Sequence, residues 1–102
     1  MTGPYEGRLS RLIRHRRQEL RFSQQQLAEV LRVTPEFFSQ VEYGHRQLSL
    51  DSVALLAHAL AIDSALLCML ALKEQAPFLF QELFRSDEVA ELAQLHTIGG
   101  HA

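Results

Sequence analysis

The stretch from Ser23 to Gly44 constrains the fold most, because it predicts two short helices joined by a tight turn. Ser23 and Gln26 have the S-x-x-Q spacing of a capping box, in which the two side chains satisfy free amides at the start of a helix. Thr34 and Pro35 are a second start signal, since a capping hydroxyl precedes a proline at the first helical position. Gly44 is predicted to end the second helix in the left-handed conformation.

Apolar residues in this stretch fall at helical spacing, which predicts that the two helices pack against each other. They are Leu27, Val30 and Leu31 in the first helix, Val33 in the turn, and Phe38 and Val41 in the second helix. The outer face of the second helix is then left to Glu36, Phe37 and Gln40. A short helix with polar residues on its exposed side suits insertion into a DNA major groove.

The length of 102 residues predicts one small domain with a single core, and the hydrophobic content of 47% favours a globular fold over disorder. Cys68 is the only cysteine, so an internal disulfide is excluded and a reducing, cytoplasmic setting is expected. No apolar run approaches the roughly 18 residues that a membrane span needs. The first residues also lack the apolar core of a signal peptide.

The net charge of −2 is divided unevenly along the chain. Residues 1–50 hold eight arginines against five glutamates, a net charge of +3. Residues 51–102 hold one lysine and one arginine against seven acidic residues, a net charge of −5. The basic half is therefore predicted to carry a DNA-binding surface and the acidic half to face away from the phosphates. The overall net charge predicts modest, salt-sensitive affinity for DNA.

The rest of the chain also predicts helices and no competing strand. A first helix is expected over about 6–20, a fourth from a cap at Ser49 to about Ala61, and a fifth from Asp63 or Ser64 to Leu72 or Lys73. Residues 1–5 are expected to be flexible, because the glycine and proline at positions 3 and 4 oppose helix.

Many of these residues, together with others upstream and downstream, match the pattern of a known family. The matching positions are Ser23-Gln24, Leu27-Ala28, Val33-Thr34, Phe38-Ser39 and Glu42-x-Gly44, extended by Leu9, Ile13 and Arg17 upstream and by Ser49, Val53, Ala57 and Leu60 downstream. They resemble the helix-turn-helix of the lambdoid phage repressor and Cro family, also called the XRE family of bacterial regulators. The resemblance covers about residues 6–72. It implies an all-α, five-helix DNA-binding bundle, here with one or two extra C-terminal helices.

The resemblance also implies roles for residues around the second motif helix. Arg17 and Glu42 match a pair that ties the first helix to the end of the recognition helix. Gln24 matches a phosphate anchor, with an ordinary polar residue at a helix start as the alternative. Three residues after the recognition helix match positions that meet the sugar-phosphate backbone: Tyr43, His45 and Arg46. Arg46 is the best candidate of the three for phosphate, and ordinary surface residues are the alternative for Tyr43 and His45.

Base contacts are expected from the outer face of the recognition helix. Gln40 is the leading candidate, since its amide can pair with both N6 and N7 of adenine, with simple solvent exposure as the alternative. Pro35 and Glu36 occupy other base-reading positions of the family but depart from its usual polar pair. Proline offers only apolar contact, and glutamate can accept from cytosine N4. Phe37 is expected either to touch a thymine methyl or sugar or to extend the packing of the core.

Pro77 marks a break, after which residues 78–84 and 86–96 form a C-terminal segment rich in apolar residues. The predicted division is a DNA-binding domain over 6–76, this extension over 77–96 and a flexible tail over 97–102. The extension exposes too much apolar surface to stay in water, so it either completes the monomer core or packs against a second subunit. The residues assigned to a dimer interface are Phe78, Phe80, Leu83, Phe84 and Leu92.

The sequence favours a regulator over an enzyme, because its histidines lack metal-ligand spacing and no glycine-rich phosphate loop is present. No metal or cofactor is expected. The expected partner is double-stranded DNA, bound by a homodimer at a pseudo-palindromic operator, with repression as the default and activation left open. The alternative is a protein-interaction module of the same fold, such as an antitoxin that binds a toxin.

Overall fold

The computed structural model describes residues 1–85, in which all regular secondary structure is helical. The helices are α1 (Arg8–Glu19), α2 (Gln24–Leu31), α3 (Pro35–Glu42), α4 (Leu50–Ala59), α5 (Ser64–Gln75) and α6 (Pro77–Phe84). The prediction of an all-α bundle of five helices with a further C-terminal helix is confirmed for these residues. The helix expected over 86–96, the tail over 97–102 and Leu92 lie outside the described part of the chain.

The helices begin where local chemistry satisfies their first free amides. The Ser23 hydroxyl accepts from the Gln26 N–H at 3.0 Å, and the Gln26 side chain accepts from the Ser23 N–H at 2.8 Å. The Thr34 hydroxyl caps α3 by accepting from the Phe37 N–H at 3.0 Å. The starts of α4 and α5 are capped in the same way, by Ser49 and Asp63 respectively.

The core lies where α1 to α5 meet. Its fully buried large side chains include Ile13, Leu27, Phe38, Val53, Leu56, Leu60 and Leu67. Val30, predicted to share the apolar face of α2, is instead 43% exposed. The buried residues of α2 are Leu27, Ala28 and Leu31. At about 100° per residue, Val30 lies roughly 110° from the middle of that buried arc, so it projects to solvent.

Residues 1–5, expected to be a flexible start, make backbone hydrogen bonds to the end of α3. The Gly3 N–H donates to the Tyr43 carbonyl and the Tyr5 N–H donates to the Gly44 carbonyl, both at 2.7 Å. Gly44 has φ +78°, as predicted for a left-handed helix end. The end of α3 is therefore covered by residues 1–5.

The last described helix, α6, packs on α5 and contributes no buried residue to the core. The described part of the extension therefore does not complete the core of the monomer. The end of α5, just before this extension, is fixed to the preceding loop, because the Gln75 amide donates to the Leu48 carbonyl at 2.6 Å. The division of the chain at residue 77 into two functional parts stays a prediction. No helix among residues 1–85 is both long enough and apolar enough to span a membrane.

Candidate nucleic-acid interface

Helix α3 presents one buried face and one solvent-facing face. Phe38 is fully buried and Val41 is 5% exposed, so α3 is fixed against the core. Glu36 and Gln40 are exposed on the other side, and Pro35 is exposed at the helix start. The structure therefore brings three of the four predicted base-reading residues to the surface together.

Phe37 behaves differently from its neighbours. Its side chain is only partly exposed and packs against the buried core cluster. This arrangement corresponds to the packing alternative stated for Phe37 and not to a freely projecting contact. The residue lies at the border of the core, where a ring of its size gains more from partial burial than from full exposure.

Arg17 and Glu42 join α1 to the end of α3. Glu42 is 0% exposed, and its carboxylate accepts from Arg17 Nε at 2.5 Å and from Arg17 Nη2 at 3.1 Å. The remaining Arg17 nitrogen, Nη1, donates to the Phe22 carbonyl at 2.9 Å. The buried charge is thus paired and hydrogen-bonded, which is the condition under which a buried carboxylate is tolerated.

Gln24, the expected phosphate anchor, also hydrogen-bonds to Glu42. Its side-chain amide donates to Glu42 Oε1 at 2.8 Å. This bond uses one of the two hydrogens of the amide, and the first backbone N–H groups of α2 are further donors at the same helix start. A phosphate contact by Gln24 stays a prediction. Sequence reasoning missed the bond to Glu42, because it depends on where α2 sits relative to α3.

Arg14 is a further residue that sequence reasoning did not single out. Its Nη1 donates to the Glu42 carbonyl at 2.7 Å, and its guanidinium lies 5.1 Å from the centre of the Tyr43 ring. Arg14 therefore holds Tyr43 beside the end of α3 through a hydrogen bond and a cation–π contact. A signal was available in the sequence, since Arg14 lies three residues before Arg17 and so shares its helix face.

The loop after α3 is fixed through its backbone while its side chains project. The N–H groups of His45 and Arg46 both donate to the Gln40 carbonyl, at 2.7 and 3.3 Å. His45 donates from Nε2 to the Met1 carbonyl at 3.1 Å. Arg46 is exposed and has no ion-pair partner among residues 1–85. Of the three residues expected to meet the DNA backbone, Arg46 is the one with an exposed guanidinium.

We expect Arg46→Ala to weaken binding to specific and non-specific DNA alike. The loss of one phosphate contact should lower the slope of log K against log salt concentration by about 0.9. Titrations of a specific and an unrelated duplex at several salt concentrations would measure this slope. Arg46→Lys is the matched control, because it keeps the charge and should keep the slope. An unchanged slope in the alanine variant would remove Arg46 from the phosphate contacts.

The predicted dimer residues on α6 are mostly at the surface. Phe78 is 75% exposed, Leu83 is 48% exposed and Phe84 is 46% exposed. Phe80 is partly covered, with its ring 4.8 Å from that of Phe84 and 5.8 Å from the Lys73 ammonium. Leu79, which the sequence assignment omitted, is 48% exposed. No element within residues 1–85 covers these exposed side chains, and an exposed apolar helix face of this kind is typical of an interaction surface.

The helix pair α2–α3, with its capped recognition helix and buried clamp, defines a helix-turn-helix DNA-binding module. The model of the helix-turn-helix family HTH_3 matches residues 13–67, which is more than half of the chain. The protein belongs to this family, the XRE-type DNA-binding regulators of transcription.

A solved structure supports the same classification. The fold is similar to that of the clp gene regulator ClgR from C. glutamicum, with a TM-score of 0.53 and 29% sequence identity. The match covers 67% of this chain and 88% of that chain. No curated protein sequence matches the chain. The predicted resemblance to XRE-family regulators is thus confirmed.

Proposed function

We propose that the protein is a transcriptional repressor that binds a pseudo-palindromic operator as a homodimer. The observation that carries this proposal is the exposure of Gln40 on α3, opposite a face that is fixed in the core by Phe38 and Val41. A rigidly held helix with a free amide on its outer side is what direct reading of a base edge requires.

The chemistry of the exposed face suggests which groups it would read. The Gln40 amide would donate to N7 and accept from N6 of one adenine. Glu36 would accept from a cytosine N4 amine, and Pro35 would lie against a thymine methyl. Because the Glu36 carboxylate also repels phosphates, it would disfavour wrong registers of α3 on the DNA as well as select a base.

Phosphate contacts would fix the position of α3 in the groove. Arg46 would supply the strongest of these contacts, and Tyr43 would supply a hydroxyl at the end of α3. The backbone N–H groups at the start of α2 would add a third contact, at the positive end of a helix dipole. These three sites flank α3 and would hold it in one register.

The dimer is supported by the exposed apolar side chains of α6. Helix-turn-helix dimers place two recognition helices about one turn of DNA apart, so that protein symmetry matches the symmetry of the site. Because ClgR is a clp gene regulator, we propose that this chain also controls transcription. Repression would follow from occupying DNA that polymerase must use.

Gln40→Ala is expected to lower affinity for the preferred duplex by about 1–3 kcal/mol, because one bidentate base contact is lost. The duplex would first be selected from a random pool by the purified protein and then titrated with both proteins. Gln18→Ala, an exposed glutamine on α1, is the matched control and should bind like the unsubstituted protein.

The selected sequences themselves test the rest of the proposal. An enriched inverted repeat supports the symmetric dimer, whereas an enriched single half-site removes it and keeps the regulator. If no sequence is enriched, and Gln40→Ala has no effect, the protein-interaction module with a partner such as a toxin becomes the better interpretation.

A further inference from the structure

The beginning of the chain lies directly beside the recognition helix. Residues 3 and 5 hydrogen-bond to the carbonyls of Tyr43 and Gly44, and the Glu6 N–H closes a turn onto the Gly3 carbonyl at 3.1 Å. The Met1 carbonyl accepts from His45. Segment 1–5 thus has a defined seat across the end of α3.

Two glycines make this seat possible. A Cβ on Gly3 would collide with the Gly44 carbonyl and would lie 2.6 Å from His45 Nδ1. A Cβ on Gly44 would collide with the Glu6 N–H, and Gly44 also has a positive φ. The two backbones therefore approach as closely as they do only because neither residue has a side chain. This fit is specific to the observed position of the segment.

A shallow depression separates the start of the segment from the outer face of α3. Its lining residues are Met1, Ser39, Gln40, Tyr43 and His45. They provide two hydroxyls, an amide and an imidazole, and they include no acidic side chain. These are the groups that proteins use to contact DNA phosphates and sugars. The depression adjoins Gln40, the leading candidate for base recognition, so a DNA strand that reaches Gln40 would pass close to residue 1.

We propose that segment 1–5 is a second DNA-contacting element, which lies along the phosphate backbone beside the C-terminal half of α3. This inference rests on the proposed function, because it concerns DNA bound at α3. Thr2 is the residue at which this contact can be tested. It is exposed, and none of the side-chain hydrogen bonds within residues 1–85 uses its hydroxyl.

The test places a charge at position 2 without disturbing the fold. Thr2→Lys should tighten binding to the selected duplex about threefold to tenfold at ~0.1 M salt, and Thr2→Glu should weaken it by a similar factor. The salt slope should rise by about 0.9 with lysine and fall with glutamate. His58→Lys and His58→Glu, at an exposed position near the end of α4, are the matched controls for net charge.

A second variant tests whether the observed position of residues 1–5 causes the effect of the Thr2 substitutions on DNA affinity. Gly3→Ala should displace the segment, so in that background the Thr2 substitutions should change affinity no more than the His58 controls do. Thermal unfolding would verify that Gly3→Ala remains folded. Equal effects at positions 2 and 58 in the unsubstituted background would overturn the inference while specific DNA binding still stood. Failure of the unsubstituted protein to bind any duplex would overturn the proposed function, and this inference with it.

Discussion

Arg17→Met is expected to lower the free energy of unfolding by about 3–5 kcal/mol, the largest effect of any single substitution proposed for this chain. The substitution leaves the Glu42 carboxylate, which is 0% exposed, without its cationic partner and without two of its hydrogen bonds. Gln24 alone cannot neutralise that charge. Urea denaturation would measure the loss, and thermal unfolding should show a melting temperature at least about 12 °C lower.

Two further variants separate the buried charge from a general effect of removing an arginine. Arg8→Met, at an exposed position at the start of α1, should change stability by no more than about 0.5 kcal/mol. The double variant Arg17→Met/Glu42→Leu should recover much of the loss, because no unpaired charge is then buried. If the single substitution costs less than about 1 kcal/mol, the clamp is not what fixes α3 to α1.

The starts of the helices could be predicted because helix capping is a local interaction. Ser23, Thr34 and Ser49 were each expected to begin a helix, and each side chain accepts a hydrogen bond from an amide three residues later. At the fifth helix the sequence left Asp63 and Ser64 open, and the structure assigns the cap to Asp63. All the atoms involved lie within four consecutive residues, so the sequence pattern contains the cause.

The ends of the helices were less predictable, because three of them are fixed by packing. Arg21, Arg32 and Ala61 adopt positive φ without being glycine. In each case the next residue is apolar, packs against the core, and donates its N–H to the carbonyl five residues back; these residues are Phe22, Val33 and Ile62. This is the hydrogen bond of a Schellman motif, stabilised here by an apolar contact instead of by glycine. These three helix ends are therefore determined by tertiary packing.

The candidate interface likewise contains some features that the sequence predicts and others that depend on tertiary structure. Exposure of Glu36 and Gln40 follows from helix periodicity, which the sequence displays directly. The partial burial of Phe37, the engagement of Gln24 by Glu42 and the position of residues 1–5 do not follow from periodicity. Each depends on how a neighbouring element is placed, and no local pattern specifies that placement. The position of α3 in the fold therefore depends on contacts that only the folded chain reveals.

Leu79→Glu/Leu83→Glu is expected to convert the protein to a monomer and to reduce its affinity for an inverted repeat about a hundredfold. The two leucines are four residues apart on one face of α6, and each is 48% exposed, so two acids there should leave the monomer fold intact. A second subunit would have to bury both charges. Affinity falls because linkage of two half-site contacts multiplies binding by about 10²–10⁴. Light scattering and DNA titration would measure both effects.

Half-site binding distinguishes loss of the dimer from damage to the DNA-binding surface. The double variant should bind a single half-site as the unsubstituted protein does, since α3 and its clamp lie in another part of the fold. Gln81→Glu, on the opposite side of α6, is the matched control and should keep both the dimer and the affinity. An unsubstituted protein that is already monomeric, with inverted-repeat affinity unaffected by the double variant, would contradict the dimer. Recognition would then depend on α3 and its flanking contacts alone, and the exposed face of α6 would be available for a different protein.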